Sequence, residues 1–184
     1  DFDLRIESQA GECYILALAY EAFNVNYDTT TVDQAHKVVE IHQPDGRNDI
    51  LQQIEHGMLS VVGGYRSLGR LYRGIICSHL RQYVLLGDSA AMTKNIKGDD
   101  DDRWVFTEDN PPRELTTAAQ LAASSRALKG FNDELSAHAL EAAQELYRVT
   151  RVEDDEALSA KIHAAAELLL TTGEEVYRSF LLEN

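Results

Sequence analysis

Apolar side chains recur at helical spacing over most of the chain. In SQAGECYILALAYEAFN, residues 8–24, Ile15, Leu16, Ala19 and Phe23 share one helix face. Residues 25–47 are less regular. They hold a threonine run at 29–31, room for a short helix at 33–40 and a PDG turn at 44–46. Asn48 or Asp49 then caps a long helix with apolar positions Ile50, Leu51, Ile54, Met58, Val61, Val62, Tyr65 and Leu68. Gly63 and Gly64 inside it either weaken it or let a neighbour approach closely.

From about 70 to 113 no clear period is present. YRGIICSHLRQYVLLGD has room for a short helix after Ser78, and GDDDDRW at 98–104 reads as a solvated loop. Its four aspartates lack the spaced DxDxDG arrangement of a calcium loop. Pro111 and Pro112 stop that loop. Three helical stretches follow, at about 114–129, 132–148 and 154–173, and a last helix begins at Glu174. In the first, Leu115, Ala118, Ala122 and Leu128 align. In the second, Leu135, Ala139, Ala143 and Leu146 align, and in the third Leu158, Ile162, Ala165 and Leu169. Gly130 suits a helix end, and Asn132 and Asp154 suit helix starts. The connections are short, so these helices are expected to pack antiparallel as αα-hairpins. No strand alternation is long enough to argue for a sheet, and no tetratricopeptide or ankyrin repeat is present. The pattern predicts one all-α domain of stacked hairpins.

Length and charge narrow the classes. A chain of 184 residues can bury a sizeable core. With 31 acidic against 17 basic residues and a net charge of −14, the chain is poorly matched to nucleic acid or an anionic membrane surface. No stretch is apolar enough for a membrane span, and without a basic and apolar opening segment a secretory signal is expected to be absent or already removed. The first residue is not Met, which points to a processed or excised chain.

Candidate chemistry is sparse. Cys13 and Cys77 read as small buried hydrophobes rather than a disulfide or a metal site. Six histidines are scattered; His42 and His56 would need a third converging ligand to hold a metal. No phosphate-binding, dinucleotide-binding or serine-nucleophile motif is present, so no cofactor and no metal is expected. Trp104 lies in a polar stretch, either anchoring a loop to the core or offering a flat face to a sugar.

Four stretches carry a resemblance. They are DFDLRIESQ at the start, PDGRNDILQQIEHGM at 44–58, YRGIICSHLRQYVLLGD at 72–88 and DDRWVFTEDNPPRELTTAAQLAASSRAL at 101–128. In this order they resemble one branch of glycoside hydrolase family 9, the endo-β-glucanases and related enzymes. The resemblance implies a partial catalytic domain over residues 1–184, truncated at both ends, within an (α/α)6 toroid. It implies an inverting hydrolysis of β-1,4-glucan bonds by two carboxyls roughly 6.5–9.5 Å apart, with a water between base and sugar. Asp1 matches the second aspartate of the family's Asp-Ala-Gly-Asp motif, its general base. No part of the chain matches the general acid, and Glu183 in YRSFLLEN lacks the surrounding motif.

Asp3 and Arg5 follow as a carboxylate and a cation two residues apart; such a pairing helps to keep a nearby base ionised. For sugar contacts the candidates are Trp104 and Arg103, then His79, Arg81 and Tyr83. The expected partner is a β-glucan or a cello-oligosaccharide. A partial toroid exposes helix faces, so self-association is also expected. By the same resemblance the protein is secreted or periplasmic, and the isolated chain is expected to be inactive. A helical interaction module without chemistry, or a sugar binder that keeps the cleft but not the reaction, fits composition equally well.

Overall fold

In a computed structural model of the chain, residues 4–33, 35–77 and 103–184 are described, with the side chains of Cys77 and Arg103 outside that set. Among the described residues the element order is α1 (Ile6–Phe23), β1 (Thr30–Asp33), β2 (Val38–Ile41), α2 (Asp49–Leu68), β3 (Gly74–Cys77), β4 (Arg103–Phe106), α3 (Pro111–Leu128), α4 (Asp133–Val149), α5 (Asp155–Thr172) and α6 (Glu175–Glu183). The molecule is all-α in class, with two small antiparallel strand pairs, β1–β2 and β3–β4.

Local chemistry sets the helix ends. The Asn48 side-chain oxygen accepts from Ile50 N and Leu51 N at the start of α2. Asn110 accepts from Arg113 N, Asn132 from Leu135 N and Asp154 from Ala157 N. Each cap satisfies a backbone donor that the first turn leaves without a partner. Gly69 and Gly173 end α2 and α5 at φ 67° and 73°, where a side chain would be strained.

Helix α3 is the centre of the packing, lying against α1, α4 and α5. Its inner positions are mostly alanine: Ala118, Ala119, Ala122, Ala123 and Ala127 are buried. Small side chains let three neighbours approach one helix closely. The α3–α4 hairpin is closed by a polar clasp. Ser125 Oγ donates to Ser136 O and Ser136 Oγ donates to Ser125 O, each at 2.8 Å. The connection from α4 to α5 is as short as expected, yet α5 packs mainly on α3.

Four expectations are corrected. Residues 33–40 are not a helix. Among the described residues, Asp33 ends β1, 35–37 are turn and 38–40 belong to β2, with the strands paired Thr30 to Ile41 through Asp33 to Val38. Strands do occur, each four residues long, which is too short for alternation to register. The face that α1 buries is Ile6, Ala10, Cys13 and Ala17, while Ile15 and Phe23 are 63% and 79% exposed. Likewise α5 buries Ala157, Ala164, Ala165 and Leu168, about one position away from the row read from the sequence. Both helices are apolar on more than one side, so spacing alone could not choose the inner face.

Of the two alternatives for the glycines of α2, Gly64 shows close approach and Gly63 does not. The Tyr72 ring lies against Gly64, and a Cβ there would overlap the ring. Tyr72 is 1% exposed. Its hydroxyl donates to Ser60 O at 3.4 Å, and burial pushes its phenol up to about 12. This ring fixes the chain reversal from α2 into β3.

Candidate functional site

The starts of α1 and α3 meet at the β3–β4 hairpin, and a backbone relay joins them. Ile6 N donates to Arg73 O at 3.2 Å, and Arg73 N donates to Phe106 O at 2.6 Å. Arg5, the residue before α1, has no capping side chain of the Ser/Asp/Asn kind, so the hairpin supplies an acceptor for the first turn instead.

Four charges sit over this junction. Glu7 Oε2 accepts from both Arg73 Nη1 and Arg113 Nη1. Glu108 Oε1 lies 2.5 Å from Arg113 Nε and 3.7 Å from Arg73 Nε. Two carboxylates and two guanidiniums cancel, and Glu7 Oε2 links the two arginines as their shared acceptor. Arg70 Nη2 donates to Glu108 O at 2.7 Å, which adds a further tie to the β4–α3 connection.

The hairpin carries an aromatic face. Side chains alternate across a strand, so Trp104 and Phe106 share one side of β4. Their ring centroids are 6.5 Å apart at 31°. They are 57% and 44% exposed. Opposite them on β3 stand Ile76 and Gly74. Val105 pairs with Ile75, which packs against the core and anchors the hairpin from its other side. Trp104 therefore does not plug a loop into the core; strand register turns its ring outward.

Beside the junction a cavity of about 230 Å³ is lined by Glu7, Asn110, Arg113, Thr116 and Gln120. A more open groove of about 620 Å³ continues along α1 past Glu7, Glu12, Tyr14, Ile15 and Gln120. Gln120 Oε1 is buried without a partner and lies between the two. Farther along, Tyr14 donates to Glu167 Oε1 at 3.0 Å and lies 2.9 Å from His163 Nε2. Burial, then the Glu167 charge, pushes the Tyr14 phenol up to about 12. Arg126 bridges Glu21 and Glu167, and those two carboxylates outweigh the cost of its burial and keep it charged. This network ties α1 to α3 and α5.

Of the residues singled out from the sequence, Asp1, Asp3, His79, Arg81 and Tyr83 lie outside the described residues. Arg103 is placed by its backbone alone, opposite Cys77 in the β3–β4 register. Arg5 is exposed immediately before α1. Through Ile6, Arg73 and Phe106, the backbone relay brings Arg5 and Trp104 to the same end of the molecule. Sequence reasoning missed Glu7, Arg73, Glu108 and Arg113, whose association spans up to 106 positions. It also missed Phe106, which the i, i+2 aromatic spacing of WVF could have revealed. Among the described residues no three His, Cys, Asp or Glu side chains converge as a metal site.

The sequence matches no protein-family profile and no curated protein at a significant level. The fold is similar to the crystal structure of a metagenome-derived glycoside hydrolase family 9 endoglucanase, with a TM-score of 0.66 and 20% identity. The likeness covers 97% of this chain and 33% of that enzyme, so the chain spans about a third of the length of the structure it matches. At that identity the likeness establishes the fold: αα-hairpins forming part of an (α/α)6 toroid.

Proposed function

We propose that this chain is part of a β-glucan hydrolase resembling glycoside hydrolase family 9. The observation that carries the reading is the Trp104–Phe106 face, held on a hairpin whose backbone also anchors the start of α1. The segment that resembles the family's base motif leads directly into that helix. An aromatic face is what a glucan chain needs, since the flat C–H faces of its sugars stack on the rings and hold the chain in place.

In this reading Asp1 is the general base and takes a proton from the attacking water. Asp3 and Arg5 hold the neighbouring charge so that the base remains ionised. Trp104, with Arg103, binds the sugar, and His79, Arg81 and Tyr83 supply further hydroxyl contacts. The acid that protonates the leaving oxygen is expected from elsewhere in a complete enzyme, which acts outside the cytoplasm. The exposed apolar residues Ile15, Phe23, Leu170 and Leu182 mark faces for neighbouring helices or for self-association.

The deciding experiment is reducing-end release from mixed-linkage β-glucan, run on this chain and on a version extended at both ends. Turnover in the extended version alone supports a site divided between this chain and its continuation. Turnover in neither overturns the hydrolase reading and leaves a sugar-binding or interaction module. The Trp104–Phe106 face favours the first of these.

A further inference from the structure

A second groove lies under the β1–β2 hairpin, on the N-terminal half of α2. It measures about 480 Å³, within the roughly 300–1,000 Å³ usual for small-molecule sites. On the hairpin side Val32 and Val39, paired across the strands, give it an apolar patch, with Thr30, Asp33, Lys37 and Val38 around them. Its wall on the helix side is polar, formed by Gln52, Gln53 and His56.

Gln52 is the informative residue. It is 5% exposed, and its Oε1 is buried without a hydrogen-bond partner. The amide cannot reverse to hide that acceptor, because Nε2 donates to Asp45 Oδ2 at 2.8 Å and a reversal would set oxygen against a carboxylate. A buried acceptor left empty is costly, and a ligand hydroxyl would satisfy it.

Charge limits the ligand further. Asp33 and Asp49 outnumber Lys37 around the groove, which disfavours anions. Neither carboxylate is idle. Asp49 accepts from Thr29 and Thr30, and Asp33 from His36. A cation would have to displace these contacts. What remains is a neutral molecule with hydroxyl donors on one face and C–H groups on the other.

We infer that the groove between hairpin β1–β2 and α2 is a binding site for a neutral pyranoside, with Gln52 Oε1 accepting a sugar hydroxyl and the cross-strand pair Val32 and Val39 covering its apolar face. The site shares no residue with the Trp104–Phe106 face, lies at the other end of α2 from it, and does not depend on the hydrolase reading.

The test follows the His56 ring proton by NMR while cellobiose is added to the 184-residue chain. Saturable shifts in the millimolar range are expected, with none from glucuronate at the same concentrations. Gln52→Met should weaken cellobiose binding about five- to tenfold, the usual range for one hydrogen bond. Val39→Arg fills the mouth from a position that is 64% exposed, so it tests the site even if the Gln52 variant does not fold. It should abolish the shifts, and Trp104→Ala should leave them unchanged. No saturable shift, equal binding by glucuronate, or unchanged binding in Val39→Arg would each overturn the inference. Loss in Trp104→Ala would do the same, by moving the sugar to the aromatic face.

Discussion

Cys13 Sγ occupies the space into which a side chain on Gly57 would project. A Cβ built on Gly57 would overlap the sulfur, so α1 and α2 approach at a point where one residue must be glycine. Gly63, six positions on in the same helix, has nothing within 4 Å of a built Cβ. The two glycines therefore predict opposite outcomes. Gly63→Ala gains helix propensity and should stabilise the protein by about 0.5–1 kcal/mol. Gly57→Ala gains the same propensity but overpacks a tight contact, and should cost about 1–2 kcal/mol net. Urea unfolding of both variants, with Gly57→Ala repeated in a Cys13→Ala background, checks this. The second substitution should relieve most of the Gly57→Ala cost, and additive losses would show that the contact is not the cause.

The same contact governs the chemistry of Cys13. Its side chain is 2% exposed and its thiol points at Ile54 O, 3.7 Å away. Burial, followed by the nearby Glu12 charge, pushes the thiol up to about 12. At pH 8 only about one molecule in ten thousand would carry the reactive thiolate. In a Cys77→Ser background, an aromatic disulfide reagent should label nothing in the native protein and one equivalent in urea. Fast native labelling would show that the α1–α2 contact opens.

Glu7 is placed between Arg73 and Arg113, with Glu108 completing the set. The four side chains are 25–39% exposed, so solvent screens them and each pair alone is worth little. Their value lies in joining α1, β3 and α3 at one point. Glu7→Gln removes the negative charge at the shared acceptor and leaves two guanidiniums facing one carboxylate. It should cost about 1–2 kcal/mol at low salt and distinctly less at 1 M, where charge is screened over about 3 Å. A salt-independent loss would mean that Glu7 acts by packing.

The parts of the fold that depend on neighbours in sequence were legible, and those that depend on distant ones were not. Asn48, Asn132 and Asp154 were readable as caps because a cap is decided within three residues. Gly64 was readable as a point of close approach, but its partner Tyr72 was not. The inner face of α1 was misread because ILALA offers apolar residues all round. Cys13 faces inward against Gly57, a contact with another helix that the spacing within α1 does not encode. Residues 33–40 were misread because four-residue strands give no period, and Asp33 builds their turn through His36. At the candidate site, Trp104 was legible as a residue type but not as an outward-facing strand position. The Glu7 cluster was invisible because its members meet only after α1, β3 and α3 have packed.

Asp45 ties the PDG turn to both β1 and α2, and its titration has a definite sign. Burial raises its carboxyl. Donation from Gln52 Nε2, Val32 N and Arg47 N, with the Arg47 charge, outweighs that and leaves it below the ordinary value. A carboxyl lower in the folded state stabilises above its unfolded value of about 3.9 and loses that contribution as pH falls through the folded value. Asp45→Asn should therefore be less stable than the parent at pH 7, and the gap should narrow below about pH 4. Urea midpoints at several pH values from neutral to about 2.5 measure this. A constant gap would remove the charge from the account.

Trp104 gives the sharpest test of the sugar-binding face, because its structural and functional roles separate cleanly. Its ring is more than half exposed, and the hairpin is anchored from its other side by Ile75 and by the Arg73–Phe106 backbone bond. Trp104→Ala should therefore alter stability by less than about 1 kcal/mol. Phe106 is 6.5 Å from it by ring centroid and offers the second half of the platform. Two rings in line match the repeat of a glucan chain better than one ring does, so each should contribute to affinity. Isothermal titration with cellohexaose should show about tenfold weaker binding for Trp104→Ala, which corresponds to about 1.4 kcal/mol. Phe106→Ala should give a smaller loss in the same direction. If both variants bind as the parent does, the aromatic face is not a sugar platform. Its exposed rings would then be a surface that another helix covers, and the hydrolase reading would lose its main support.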